Sequence, residues 1–190
     1  MEVDLINIDV SLNQEQTARL KAIFKQKTLE NGEYFIQAGD RSTQIGFVMS
    51  GLFRSFILDE KGIDVTKYFY PEGAALFSYA AHLTGEPSAY YIQALENSKL
   101  LVANINDFEK IIKDDFQLGL IFKGILDRNL IMKDHHASSF VLFDSIERYQ
   151  QFLENYPGLE KRVKQYHLAS FLGITPVSLS RIRKKIGLIK

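Results

Sequence analysis

The sequence predicts an α+β chain in which a strand-rich region is followed by one long helix and then by a pair of short helices. Between about Lys27 and Asn104, short apolar or alternating runs rich in aromatic residues are separated by turn residues. Seven or eight strands at this spacing indicate a sandwich or a barrel. After Asn104 the apolar residues recur at helical spacing. We therefore expect the strands and the helices to occupy separate regions.

The composition excludes several functional classes. The 190 residues allow one large or two small domains, and a hydrophobic content of 46% with 14 Phe and 9 Tyr suffices for a packed core. There is no cysteine, which excludes disulfides, thiol catalysis and metal sites built on thiolates. The N-terminal segment is not a signal peptide, and no stretch approaches the ~18 apolar residues of a membrane helix. We expect a soluble, cytoplasmic protein without a membrane partner.

The charges are distributed unevenly along the chain. Overall, 23 basic residues balance 23 acidic ones. Residues 157–190, however, contain eight basic residues and one acidic residue, a net charge of +7, whereas residues 1–156 carry −7. A basic terminal region on an acidic body is typical of a DNA-binding segment attached to a regulatory or assembly domain.

The elements before the long helix are predicted from caps and turns. Ser11 to Gln14 has the pattern of a capping box, and apolar residues continue that helix to about Phe24. Asn31-Gly32 is a type I′ hairpin signal between its two flanking runs. Later strands are expected over 45–50 and 52–58, interrupted by Gly51, over 65–70, and as a final pair over 90–95 and 99–103.

A long helix is expected over 115–143, with one more helix over 144–156 that ends at Pro157-Gly158. Positions along the long helix follow alternating three- and four-residue spacing over nearly 25 residues. Such a helix usually needs a partner, which favours a parallel dimer, although the helix could instead pack only on its own strand region. The expected dimer interface consists of Leu118, Ile121, Ile125, Met132 and His135.

The C-terminal stretch 165–184 has the features of a helix-turn-helix. Ala169 allows two helices to cross closely, and Gly173 can close the first helix with a positive φ. Thr175-Pro176 supplies an N-cap hydroxyl and a proline at the first helical position. The second helix is cationic, and an ordinary helical hairpin with a solvated basic face is the alternative. The expected DNA-binding residues are Thr175, Val177, Ser178, Arg181, Lys184 and Lys185.

This order of elements resembles the Crp/Fnr family of bacterial transcription regulators over about residues 12–187. The segments that carry the resemblance are NGEYFIQAGD at 31–40, FVMSGLFRSF at 47–56, YPEG at 70–73 and LASFLGITPVSLSRIRKKI at 168–186. The resemblance implies a cyclic-nucleotide-binding-like β-roll, which is a cupin-like double-stranded β-helix, over 1–114. It also implies a dimerisation helix over 115–143 and a winged-helix-like helix-turn-helix with a truncated wing over 144–190.

Two departures from the family pattern change what the resemblance implies. Members that bind cyclic AMP use a Glu for the ribose and an Arg for the phosphate, but Ser78 and Ser88 or Ala89 stand at the matching positions. Since burying a phosphate without its cation is costly, no response to cyclic AMP is expected. The candidate effector pocket, which holds another small molecule or is filled by its own aromatic rings, comprises Phe77, Ser78, Tyr79, His82, Ser88, Tyr90 and Tyr91.

The second departure lies in the DNA-reading helix. Many family members place a Glu two residues after the N-cap, where this sequence has Val177. Valine offers only an apolar contact, for instance to a thymine methyl, so the family's usual half-site is not implied. Arg181 matches the arginine that reads guanine, and Ser178 matches a residue that contacts phosphate or base.

The expected function is that of a homodimeric regulator on double-stranded DNA with palindromic half-sites, with RNA polymerase and an unknown effector as further possible partners. The alternative is a ligand-binding or protein-interaction module whose DNA-binding region is degenerate. No enzyme activity, cofactor or metal is expected, because residues 27–104 contain a single histidine, His82. His135 and His136 point ~100° apart on one helix and are expected to be surface or interface residues, and His167 is expected to cap a helix or contact a phosphate.

Overall fold

The computed structural model describes residues 12–187 and divides the chain into two compact units. The roll unit comprises the residues up to Ile57 together with Tyr68–Asp127, and the C-terminal unit comprises Leu58–Lys67 and the residues from Arg128 onwards. The sequence predicted a separate segment at 115–143. The structure instead divides this stretch between the two units, after Asp127. Its first part packs with the roll unit.

The fold is α+β, as predicted, with eight strands in two antiparallel four-stranded sheets. One sheet has the order β1-β8-β3-β6 and the other β2-β7-β4-β5. The strands are β1 (Lys25–Leu29), β2 (Tyr34–Ile36), β3 (Gln44–Ser50), β4 (Phe53–Leu58), β5 (Asp64–Tyr70), β6 (Ala75–Leu76), β7 (Tyr91–Ala94) and β8 (Ser98–Asn104).

Except for β4 and β5, consecutive strands alternate between the two sheets, and this corrects two predicted pairings. The turn at Asn31-Gly32 does not close a hairpin, because β1 pairs with β8 and β2 pairs with β7. The expected final pair is also wrong, since β7 lies beside β2 and β4 while β8 lies beside β1 and β3. Gly51, with φ 109°, carries the chain from one sheet to the other, and a Cβ there would overlap the side chain of Ser98.

Two apolar clusters fill the roll unit. One lies between the sheets and includes Phe53, Leu76, Ile92 and Leu100, which are essentially inaccessible to solvent. The other lies on the outer face of the β3–β8 sheet, beneath helices α1 (Gln14–Ile23) and α3 (Ile105–Asp114). Asn13 caps α1 through a capping box with Gln16, whereas the predicted capping residue Ser11 lies outside the described residues. A short helix that the sequence analysis did not predict, α2, spans Tyr79–Thr84.

The long helix α4 spans Phe116–Leu142, within two residues of the predicted bounds. Leu118 and Ile125 belong to the outer cluster of the roll unit and are only 4% and 8% exposed. This corrects their assignment to the dimer interface, because both are already buried against the chain's own strands and helices. Ile121 also packs on that cluster, while His135 is exposed.

The described part of the C-terminal unit contains three further α-helices, namely α5 (Ser145–Asn155), α6 (Gln165–Phe171) and α7 (Pro176–Lys185), and a 3-10 turn at Leu159–Lys161. Asp144 caps α5 through a capping box with Glu147. The tip of the β4–β5 hairpin also belongs to this unit. The Ser170 hydroxyl of α6 accepts from the backbone N–H of Thr66 at 3.0 Å and lies 3.3 Å from the carbonyl of Asp64, to which it donates.

Within the described part of the chain, none of the helices combines the length and the apolar character that crossing a bilayer requires.

Candidate functional site

The exposed face of α7 begins at a well-formed cap. The Thr175 Oγ1 accepts from the backbone N–H of Ser178 at 3.1 Å, and its hydroxyl also lies 2.9 Å from that of Ser178. Pro176 occupies the first turn, where its missing N–H is not needed. This is the predicted cap, and it fixes the start of α7 while leaving the cap itself exposed to solvent.

The two helices α6 and α7 pack through the residues that the sequence singled out. Ala169 and Leu179 are fully buried, and Gly173 has φ 67°. The N–H of Ile174 donates to the carbonyl of Ala169 and the N–H of Gly173 to that of Ser170, which together form a Schellman motif. A Cβ at position 173 would lie 2.6 Å from Cε1 of Phe140. The positive φ favours glycine here, and a larger residue would also displace the partly exposed Phe140 ring.

The side chains on the outer face of α7 are cationic and apolar. Arg181, Lys184 and Lys185 are exposed, and Val177 is 62% exposed. Arg183 differs from its basic neighbours, because its Nε donates to the hydroxyl of Tyr149 at 3.0 Å. Arg183 thus holds α7 against α5, and the other three cations are left to face solvent.

The last carbonyls of α6 are held by side chains from α4 and α5, a feature that the sequence analysis missed. The His136 Nε2–H donates to the carbonyl of Phe171 at 3.1 Å, and the imidazole stacks on the Phe171 ring at 4.0 Å. Arg148 donates to the carbonyl of Leu172 at 3.1 Å and to that of Phe143 at 2.8 Å. The turn between α6 and α7 is therefore fixed to the helices behind it.

The environment of His136 keeps the imidazole neutral. Burial lowers its pKa, the hydrogen bond to the Phe171 carbonyl opposes this, and the charges of Lys67 and Arg148 lower the pKa further. His136, which was expected to be a surface or interface residue, is partly buried and packs on α6 of its own chain. His167 is also buried, so it is not exposed for the phosphate contact suggested for it.

The residues of the candidate effector pocket do not all face one space. Ser78 and Ser88 are buried in the roll beside the partly buried Tyr90, whose carbonyl accepts from the Ser88 hydroxyl at 2.9 Å. The side chains of the other four residues lie elsewhere. The Phe77 ring packs on Phe122, and Tyr79 is exposed. His82 lies 2.7 Å from Glu109, and Tyr91 stacks on Phe56. The pocket prediction therefore joined residues from both faces of a sheet and from α2.

Arg54 in β4 is a cation of the roll unit, but its side chain lies on the face of the strand that points away from the space between the sheets. It is buried, donates to the Gln93 side chain at 3.1 Å and lies over the Phe56 ring at 4.1 Å. Its neighbour Ser55 accepts from the Tyr70 hydroxyl at 3.3 Å, and Tyr70 packs on the cluster between the sheets. Because successive residues of a strand point to opposite faces, Arg54 cannot neutralise an anion inside the roll.

Among residues 12–187, no three acidic or histidine side chains are grouped as a metal ion would require. The one close imidazole–carboxylate contact in the roll unit is that of His82 with Glu109, whose second oxygen binds Lys113 at 3.0 Å. The pKa of Glu109 is lowered chiefly by its hydrogen bond to His82 and then by Lys113. This cluster ties α2 to α3.

Part of the roll unit is similar to a known family of domains. Residues 26–115 match the family described as the cyclic nucleotide-binding domain. A comparison with curated protein sequences found no match.

Solved structures extend the likeness beyond the roll. A transcriptional regulator of the Crp/Fnr family from Eubacterium rectale superposes with a TM-score of 0.73 at 15% identity, covering 97% of this chain and 88% of that one. FixK2 of Bradyrhizobium japonicum gives 0.75 at 16% identity, over 87% and 85% of the two chains. CLP of Xanthomonas campestris, described as a c-di-GMP-responsive global regulator, gives 0.72 at 14% identity, over 93% and 92%. The predicted resemblance to Crp/Fnr regulators is confirmed for the fold.

Proposed function

We propose that this chain is a homodimeric, DNA-binding transcription regulator of the Crp/Fnr type. The observation that carries the proposal is the face of α7, on which Arg181, Lys184 and Lys185 are exposed on a helix that is fixed at its cap, its turn and its buried side. A rigid, cationic helix of this kind can enter the major groove of DNA as the second helix of a helix-turn-helix.

Each exposed residue of α7 has a distinct role in this proposal. The guanidinium of Arg181 would read guanine through O6 and N7, and Val177 would contact a thymine methyl. Thr175 and Ser178 would bind phosphate or base edges near the start of α7, while Lys184 and Lys185 would bind the phosphate backbone.

The dimer would form through α4, with its interface shifted from the predicted seam. Leu118 and Ile125 are buried in the roll unit, whereas Leu120, Ile131 and Leu142 are 52%, 54% and 68% exposed. These three residues are spaced by eleven, which is about three helical turns, so they lie along one side of a straight helix. Of the predicted interface, His135 lies close to this line, whereas Met132 is ~100° from Ile131 around the helix.

The dimer is tested by placing charges on that line. The double variant Leu120→Glu and Ile131→Glu should be monomeric by light scattering and should still unfold cooperatively, with a melting temperature that no longer depends on protein concentration. The matched variant Ile125→Glu should instead unfold the roll unit, because it buries a carboxylate in an apolar cluster. A dimer that survives the first variant would remove α4 from the interface.

Cyclic AMP is not expected to be the effector. The described interior of the roll presents the hydroxyls of Ser78, Ser88 and Tyr90, and Arg54 lies on the opposite face of its strand. A buried phosphate monoanion without a cation is unfavourable by several kcal/mol. Millimolar cyclic AMP should therefore raise neither the melting temperature nor the DNA affinity, since tight binding would do both through mass action.

The decisive experiment is selection of bound duplexes from random DNA, followed by salt titration on selected and random sequences. A regulator should bind the selected sequence ~10³-fold or more tightly than random DNA and should protect two half-sites ~34 Å apart. Equal affinity for both would favour the alternative, a ligand-binding or protein-interaction module with a degenerate DNA-binding region. RNA polymerase remains a proposed partner of the DNA-bound dimer.

A further inference from the structure

Val177 is an aliphatic side chain on the exposed, cationic face of α7. It is 62% exposed, whereas the other aliphatic residues of this helix, Leu179 and Ile182, are 0% and 7% exposed. Leu179 and Ile182 therefore supply the packing of α7, and Val177 contributes little to it. Because covering an exposed aliphatic group is favourable, Val177 is available to stabilise a complex with a partner that buries it.

The polar groups on either side of Val177 have partners within the C-terminal unit. The Thr175 Oγ1 accepts from the backbone N–H of Ser178 at 3.1 Å and lies 2.9 Å from the Ser178 hydroxyl. The carbonyl of Pro176 accepts from the Gln165 side chain at 2.8 Å. The first turn of α7 contains no acidic residue. It therefore presents the two methyl groups of the valine and no carboxylate that could accept from the amino group of cytosine.

Val177 lies beside Arg181 on α7. The two residues are four positions apart, so they share one face of the helix, with their Cβ atoms ~5–6 Å apart. Successive base pairs of DNA are ~3.4 Å apart, so the two side chains would meet bases one or two pairs apart. A valine in a helix has one strongly preferred χ1 rotamer, which fixes the position of its methyl groups.

We propose that Val177 recognises the C5-methyl group of a pyrimidine, so that methylation of DNA controls binding by α7. This methyl group alone distinguishes thymine from uracil and 5-methylcytosine from cytosine, since the hydrogen-bonding groups within each of these pairs are the same. An isopropyl group makes no hydrogen bond and responds to the methyl group through burial. A half-site with cytosine at this position should bind more tightly once the cytosine is methylated. This role of Val177 rests on the proposed function, because it concerns the same face of α7.

The test uses duplexes that differ by one methyl group. In the selected sequence, each thymine is replaced singly by uracil and each cytosine by 5-methylcytosine, and binding is measured by fluorescence anisotropy at fixed salt. One pyrimidine, within about two base pairs of the guanine read by Arg181, should respond. Its methyl group should change the affinity by ~3–5-fold, the effect of burying about one methyl group. Cytosine and 5-methylcytosine are then compared at that position, with guanine opposite, and should differ by a similar factor.

Variants of the protein assign the effect to one side chain. Val177→Ala should reduce the methyl effect to less than ~2-fold while the protein keeps its melting temperature, because the valine is exposed and alanine favours a helix. Val177→Thr, which has the same shape and one methyl group fewer, should show an intermediate effect. Lys184→Ala is the control, since it should weaken binding to the methylated and unmethylated duplexes by the same factor.

The outcomes separate this role from the proposed function. A methyl effect that is absent at every pyrimidine, or equally large in Val177→Ala, would overturn the role of Val177. Sequence-specific binding without a methyl effect would leave the proposed function intact and remove only this role. If no selected duplex binds more tightly than random DNA, the proposed function fails, and the recognition of a methyl group fails with it.

Discussion

The interior of the roll and the outer face of α7 use polar side chains in opposite ways. In the roll, the hydroxyls of Tyr70, Ser88 and Tyr90 each bond to a group of the same unit. On α7, the cations of Arg181 and Lys184 are exposed to solvent. Polar groups that are bonded internally hold a structure together, whereas exposed ones are available to a partner. This contrast supports the proposed function, in which the exposed face of α7 contacts DNA.

The largest expected effect concerns the framework beneath α7. Gly173→Ala should reduce the free energy of unfolding by about 2–4 kcal/mol, because it combines the cost of a positive φ with overlap against Phe140. Gly158→Ala is the matched control, since Gly158 has φ 78° and nothing within 4 Å of an added Cβ. It should cost only the backbone part.

A double-mutant cycle isolates the contact with the ring. Combining Gly173→Ala with Phe140→Ala should recover the part of the loss due to overlap, as measured by urea denaturation. If Gly173→Ala and Gly158→Ala cost the same, the packing of Phe140 on the turn does not support α7.

The next effect distinguishes two arginines on the same helix. Arg181→Ala should weaken binding to the selected DNA by ~1–3 kcal/mol and relax the preference at one base pair of each half-site, with the melting temperature unchanged. Arg183→Ala should instead lower the melting temperature, because it breaks the bond to the Tyr149 hydroxyl. Should Arg181→Ala weaken specific and random DNA equally, Arg181 binds phosphate rather than a base.

A smaller and sequence-independent effect is expected for the lysines. Lys184→Ala and Lys185→Ala should each reduce the slope of log K against log salt by about one, on every duplex tested, because each contact with a phosphate releases counterions. Lys21→Ala, which removes an exposed cation from α1 in the roll unit, is the control and should leave the slope unchanged. A similar change for all three would mean that total charge, not the face of α7, sets the affinity.

The last prediction concerns pH, and its sign follows from the lowered pKa of His136. Since the folded state disfavours the protonated imidazole, the protein should lose stability as the pH falls below ~6.5, the ordinary pKa of histidine. The charged groups facing this ring, Lys67 and Arg148, carry the same sign as the imidazolium. His136→Gln, which keeps a donor for the Phe171 carbonyl, should flatten the dependence of melting temperature on pH. An unchanged pH profile would assign the loss to other groups.

The C-terminal helix pair could be predicted nearly in full because its determinants are local. The Thr175 cap, Pro176 in the first turn, the positive φ of Gly173 and the burial of Leu179 are all as expected. Each depends on residues within about one helical turn, so sequence spacing contains the necessary information. The base-reading roles of the α7 residues stay predictions.

Strand pairing and the effector pocket could not be predicted, because both depend on distant residues. The turn at Asn31-Gly32 has a hairpin composition, yet β1 finds its partner in β8, about 70 positions along the chain. Similarly, the three- and four-residue spacing of apolar residues in α4 predicts that one side of the helix is buried. It does not predict which part of the protein covers that side. Leu118 and Ile125 are covered by the roll unit rather than by a second chain. The contacts of His136 and Arg148 with α6 join residues more than twenty positions apart and leave no sequence signal.

The contact of Ser170 with the β4–β5 hairpin lies on an edge strand of its sheet. β5 is the outermost strand of its sheet, and an open strand edge offers N–H and carbonyl groups to any other extended chain. One hydroxyl of α6 engages the N–H of Thr66 and the carbonyl of Asp64, the two groups through which a foreign strand would begin to pair. Ser170→Ala would remove the contact of this hydroxyl with both groups while deleting a single oxygen. The consequence would be self-association at high concentration by a variant whose individual molecules remain folded.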